Sequence, residues 1–465
     1  MEFFSMLGVS TVVIVVLTLA LYRKRRDAGC LVGMAALYYW TLYGAWYIVI
    51  DKTGGISGKH YQYLEYKLFP IALDDKYMLT LGLYAGFIIL VQLTLLVALS
   101  RDQRPEIPRL VMRHEPILII AVLAGLASYF VIKDKLSEAW ALNTSAYLYT
   151  RRETDEWFTL HQVLNRVAML PPAIGFATLA AGKRSRFFVN VVRRYTWAGY
   201  LALFVGMGVF TFVLGNKNEG FTALLTGVLA YLGSVRRPSF VKTGLLMVAG
   251  MWFLYAVDFF RGTPISEMRE VIHQRIDDAT EVATFITSSN EAYAAHFSMY
   301  GVLSGGVEPR FGYSVYSLAC SAIPRVLWPD RPDDIYNYYA GSVGAIRNQG
   351  YSVHHATGWY LNFGYAGVAL GALAMGLVWA YCLNAHQRIR PRSGLVFRLF
   401  ASIAPWVFVA CLPSLIRAGP EGYKGFLVDG LLIPMVTLAF ACRPRKAAPV
   451  LTWDARAGWV MAGAK

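Results

Sequence analysis

His354 and His355 stand side by side just before the run Gly358-Trp359-Tyr360-Leu361-Asn362-Phe363-Gly364-Tyr365-Ala366-Gly367. An imidazole titrates near neutral pH and can take a proton from a hydroxyl. Plain hydrogen-bonding duty at a helix entry is the alternative reading. Upstream, Arg325 and Arg331 flank Trp328 within Ile323-Pro324-Arg325-Val326-Leu327-Trp328-Pro329-Asp330-Arg331-Pro332-Asp333. Guanidinium groups grip phosphate oxygens two at a time and stay charged where the dielectric is low. Trp328 offers a flat face to a sugar or a lipid. The prolines alone could mean only a rigid loop.

Lys217 lies in the turn Gly215-Asn216-Lys217-Asn218-Glu219 and either meets an anion or snorkels and pairs with Glu219. Arg261 either serves the same anion or pairs locally with Asp258. Glu291 and His296 are further candidates, with Tyr293 and Tyr300 nearby, and Arg151, Arg152, Arg166, Arg310 and Arg347 complete the cationic set. Such groups suit binding of a diphosphate and deprotonation of a hydroxyl. No Asp-x-Asp, His-Glu-x-x-His or cysteine pair supplies metal ligands, and no glycine-rich nucleotide loop is present. The expected chemistry is therefore metal-independent and without a cofactor.

These residues need a scaffold, and composition says which kind. The chain has 465 residues, 56% of them hydrophobic, only 16% charged, with a mean hydropathy of +0.43. Soluble domains carry about 25% charged residues. The apolar residues come in blocks, and about 20 in a row span a hydrocarbon layer. Spanning helices are expected near 3–22, 30–50, 77–99, 116–132, 162–181, 196–214, 219–235, 242–260, 356–383, 395–413 and 425–442, about eleven in all (ten to twelve). The fold class is an all-α polytopic membrane protein. The first block has no basic stretch before it and is read as a retained span. Five scattered cysteines read as packing residues without disulfides.

The net charge of +15 is explained by topology. Alternate loops and the tail after Arg443 hold 25 of the 44 Lys and Arg but only 5 of the 29 Asp and Glu. That is the positive-inside pattern, with the N-terminus outside and the C-terminus inside. No nucleic-acid partner is implied. Four units follow: an N-terminal bundle over 1–260, a long outer loop over 261–355, a second group of spans over 356–442 and a cytoplasmic tail over 443–465. Within the loop, Thr263-Pro264 reads as a helix start. An amphipathic face follows at Ile265, Met268, Ile272, Ala279, Val282 and Ile286. The stretch from Phe311 to Ile323 is apolar but too short to span, as a re-entrant or interfacial segment would be.

The runs at 323–332 and 360–367, with the Gly-Asn-Lys turn before a Leu-rich span, resemble bacterial O-antigen polymerases and related oligosaccharide repeat-unit polymerases. Lys217 stands where that family's turn has arginine, and a glutamate often found near Asn-Phe-Gly is absent. The resemblance implies a glycosyltransferase in the bacterial inner membrane, with the architecture shared by membrane polymerases and ligases of this kind. Its partners would be undecaprenyl-pyrophosphate-linked glycans and membrane lipids, with a chain-length regulator as a further partner. Arg325, with one histidine of the His354–His355 pair, would be catalytic. Lys217, Arg261, Arg331, Trp328, Glu291 and His296 would bind substrate. An O-antigen ligase or another polyprenyl-dependent transferase is the nearest alternative; a lipid-linked sugar flippase is the next, although no inverted repeat is visible.

Overall fold

The computed structural model describes residues 1–52, 70–100, 110–144, 156–182, 187–214, 217–235, 291–320, 334–344, 352–390, 392–444, 450–454 and 458–462, with isolated positions between them. The helices follow the apolar blocks. They are α1 (Glu2–Arg25), α2 (Ala28–Tyr38), α3 (Gly44–Lys52), α4 (Asp75–Ala98), α5 (His114–Ala141), α6 (Glu156–Ala181), α7 (Thr196–Leu214) and α8 (Lys217–Ser234). A π-helical turn, Tyr39–Tyr43, joins α2 to α3. Then come three short helices, α9 (Glu291–Ser304), α10 (Tyr313–Cys320) and α11 (Ile335–Ser342). The long α12 (His355–Asn384) and α13 (Leu395–Arg417) precede a turn at Gly419–Glu421, a π-helical stretch Gly425–Leu432 and α14 (Ile433–Ala441).

Among the described residues seven helices are long and apolar enough to cross a membrane. The chain is thus an all-α polytopic membrane protein. Each expected span coincides with helical structure except 242–260, which lies outside the described residues apart from isolated positions, and the expected amphipathic face from Ile265 to Ile286 lies outside them too. The short apolar stretch after Phe311 becomes α10, whose 8 residues cannot span. All five cysteines are buried and unpaired, as packing residues.

The main core lies where α4, α12 and α13 meet α1 and α2, and a second lies among α5, α6, α7 and α8. Without a hydrophobic drive between helices in lipid, close approach relies on small residues. Gly233 of α8 illustrates this: a Cβ there would collide with the Trp406 indole on α13.

The two ends of the bundle differ in chemistry. One end gathers the basic connections. Strand β1 (Leu110–Arg113) pairs in parallel with β2 (Phe188–Val191) and antiparallel with β3 (Cys442–Pro444), so two basic loops and the start of the tail share one sheet. At the same end Arg25 binds the Asn384 amide oxygen at 2.8 Å and the Leu383 carbonyl, and Ser100 donates to Asn384 at 2.9 Å. The tail closes on a hairpin of β4 (Val450–Asp454) and β5 (Gly458–Ala462). The opposite end carries His296, His354 and His355.

Candidate functional site

At that opposite end, His354 caps α12 and His355 is its first residue. Both rings are fully buried. His354 Nδ1 accepts the Ala356 backbone N–H at 3.1 Å, so a neutral ring carries its proton on Nε2, 3.1 Å from the Thr41 hydroxyl. His355 is the converse tautomer. Its Nε2 accepts the Trp359 indole N–H at 3.0 Å, and Nδ1–H is shared between the carbonyls of Gly419 (2.9 Å) and Leu415 (3.1 Å). His296 on α9 is buried too, donating from Nδ1 to the Thr41 carbonyl at 2.9 Å and accepting from Tyr77 at 3.0 Å. Burial pushes His296 down to about 4. Burial, and then the neighbouring His355 and His296, hold His354 well below the usual histidine range.

In sequence the paired histidines read as proton acceptors at a helix entry. The structure gives all three rings partners on both nitrogens. They tie the π-turn between α2 and α3, α4, α9 and α12 to one another. Two further buried links reinforce them: Ser298 receives the His354 backbone N–H at 3.0 Å, and the Tyr84 hydroxyl reaches the His296 carbonyl at 3.0 Å.

The run 358–367 proves to be a helix break. Phe363 (φ −142°) and Gly364 (φ 62°) depart from helical geometry inside α12. Only glycine takes the left-handed conformation at little cost, which explains Gly364. The segment before α10 closes over the break. Asn362 accepts the Ser314 backbone N–H at 2.7 Å and donates to the Ser314 hydroxyl at 2.9 Å. The Arg310 backbone N–H donates to the Leu361 carbonyl at 2.7 Å. Gly358 sits so close to the following loop that a Cβ would come within 2.6 Å of Pro420 and 2.9 Å of the Gly419 Cα. The residue after Pro420, Glu421, is a carboxylate beside the motif that the sequence reading did not single out. It accepts the Ile335 backbone N–H at 3.0 Å, with the Ser317 hydroxyl and the Asp334 carboxylate close by. A carboxylate has about four lone-pair directions, so two bonds leave it able to accept a proton from a third group. The only local sign of it was a charge set in Gly419-Pro420-Glu421-Gly422.

A second cluster joins three helical segments. Arg166 on α6 lies 2.7 Å from Asp429 in the π-helical stretch and 3.5 Å from Glu219 on α8. Glu219, the alternative partner for Lys217 in sequence, also reaches Arg166. Lys217 opens α8 and Glu291 opens α9, while their side chains lie outside the described residues. Arg325, Arg331 and Arg261 also lie outside them. Trp328 is half-buried. No group of three or more potential metal ligands occurs among the described residues.

No family model and no solved structure matches the chain. Two curated proteins do, the O-antigen polymerases of Salmonella typhimurium and Salmonella typhi. Each is 26% identical over 219 residues, covering 43% of this chain and 49% of the relative. The match therefore spans about half the length of these relatives.

Proposed function

We propose that the chain is a membrane glycosyltransferase that polymerises undecaprenyl-pyrophosphate-linked oligosaccharide repeat units at the periplasmic face of the inner membrane. The observation that carries the reading is convergence. The segment around 310–317 bonds to the break in α12 through Leu361 and Asn362 and reaches Glu421 through Ser317, while the turn at 419–421 packs against Gly358, all at the end of the bundle away from the basic loops. The partial likeness to two O-antigen polymerases points the same way.

In this reading the acceptor's hydroxyl attacks the anomeric carbon of the donor glycan. The new glycosidic C–O bond forms, the bond to pyrophosphate breaks, and undecaprenyl pyrophosphate departs. Three tasks follow: neutralising the leaving diphosphate, removing the hydroxyl proton and housing two polyprenyl chains. Arg325, Arg331, Arg261 and Lys217 are proposed for the first task, and the spanning helices for the third. For the second we assign Glu421, because the rings of His354 and His355 already use both nitrogens. The histidines then position the start of α12.

Purified full-length protein incubated with an undecaprenyl-pyrophosphate-linked repeat unit should give a ladder of lengthened products on a gel. Arg325→Ala should abolish the ladder. Transfer to a lipid A–core acceptor without lengthening would make the chain a ligase. Movement of the lipid across a vesicle with no new bond would make it a flippase.

A further inference from the structure

Phe311 exposes 91% of its surface. Its position is not slack. The turn that holds it bonds to the break in α12 through the Arg310 backbone N–H to Leu361 and through Ser314 to Asn362, and Gly312 (φ 70°) shapes the turn. Phe311 packs edge-on against Phe363 at 4.9 Å, and Tyr316 and Tyr365 are exposed as well.

Beside it, the Arg310 guanidinium lies over Tyr338 (4.7 Å) and Tyr313 (5.5 Å). Stacking fixes the plane of a guanidinium and leaves its five N–H donors available. Among the described residues those donors have no hydrogen-bond or ion-pair partner. A rigid, unshared cation next to a rigid, uncovered ring calls for an occupant that is both anionic and apolar.

Depth says which one. Below the break, Tyr365–Asn384 rises about 30 Å at about 1.5 Å per residue, the thickness of a hydrocarbon layer. A hydrocarbon layer spanned by Tyr365–Asn384 would set Arg310 and Phe311 at the level where a lipid's phosphate meets its first hydrocarbon segments. We infer that Arg310 and Phe311 form a docking point for a polyprenyl pyrophosphate headgroup, the guanidinium taking the diphosphate and the Phe311–Phe363 pair taking the first isoprene units. This deepens the proposed function and rests on it only for the identity of the lipid.

The test uses the full chain in discs of phosphatidylcholine, with undecaprenyl pyrophosphate as the probe and native mass spectrometry as the readout. Two charge-assisted hydrogen bonds suggest a loss of roughly 10- to 100-fold in affinity for Arg310→Ala, part of it recovered by Arg310→Lys. Phe311→Ala should lose several-fold, and phosphatidylglycerol should not compete. Both positions are exposed, so unchanged melting of the variants separates docking from folding. Equal binding by wild type and both variants would overturn the inference, and so would equal displacement by phosphatidylglycerol, which would mark an ordinary lipid anchor. If wild type lengthens glycans while the variants bind normally, the docking point fails and the polymerase reading survives. If binding depends on Arg310 but no ladder forms, the reverse holds.

Discussion

At the scale of single residues, the buried histidines at the site end, His296, His354 and His355, shape the pH behaviour. In an unfolded chain each titrates near 6.5, whereas in the fold His296 is pushed down to about 4 and His354 well below its usual value. A group with a depressed folded value binds more protons when unfolded. Stability is therefore complete above about pH 6.5 and falls as pH drops towards 4. Thermal unfolding in detergent should show the melting temperature declining from pH 7 to pH 5, with a shallower slope in His296→Gln. A flat wild-type profile would show that the rings are not held neutral. The catalytic proton makes a separate prediction. Glu421→Gln keeps an oxygen for the Ile335 N–H but no basic carboxylate, so turnover should fall by at least about 100-fold with melting little changed. Normal turnover in that variant would remove Glu421 from the reaction.

At the scale of elements, the break in α12 depends on close packing between distant segments. Gly358→Ala pushes a methyl into the Gly419 backbone as well as the Pro420 ring. Such overpacking costs about 1–3 kcal/mol and should lower the melting temperature while displacing Glu421. The Arg166 cluster makes the complementary test. Removing one partner of a mostly buried pair strands the other charge. A double-mutant cycle on Arg166→Ala and Asp429→Ala, read by thermal unfolding, should give a coupling of about 1 kcal/mol or more. Simple additivity would mean that the pair is incidental. These elements also show what was legible in the sequence. Apolar blocks are local, so the helices matched them closely, and α10 announced itself by being too short. The partners were not legible, because Thr41 and His354 are 313 positions apart and nothing in either neighbourhood names the other. The same holds for Glu421. The run 358–367 has no acid of its own in sequence, yet the fold packs the turn that holds Glu421, just after α13, against Gly358 at its start.

At the scale of the whole molecule, function depends on which end faces the cytoplasm. The β1–β2–β3 sheet and the Arg25–Asn384–Ser100 network bring the basic connections to one end. His296, His354 and His355, the α12 break and Glu421 occupy the other. Translocation favours keeping Lys- and Arg-rich loops in the cytoplasm, so the site end should face the periplasm, where a glycan polymerase would need it. The five native cysteines are buried and should give little background to a thiol reagent. In spheroplasts, Glu308→Cys, exposed beside the Arg310 turn, should react at once with a membrane-impermeant maleimide. Arg392→Cys, exposed between α12 and α13, should react only after the membrane is permeabilised. The opposite pattern would put the docking point, the break and the carboxylate in the cytoplasm, where a lipid-linked glycan presented on the periplasmic leaflet cannot reach them.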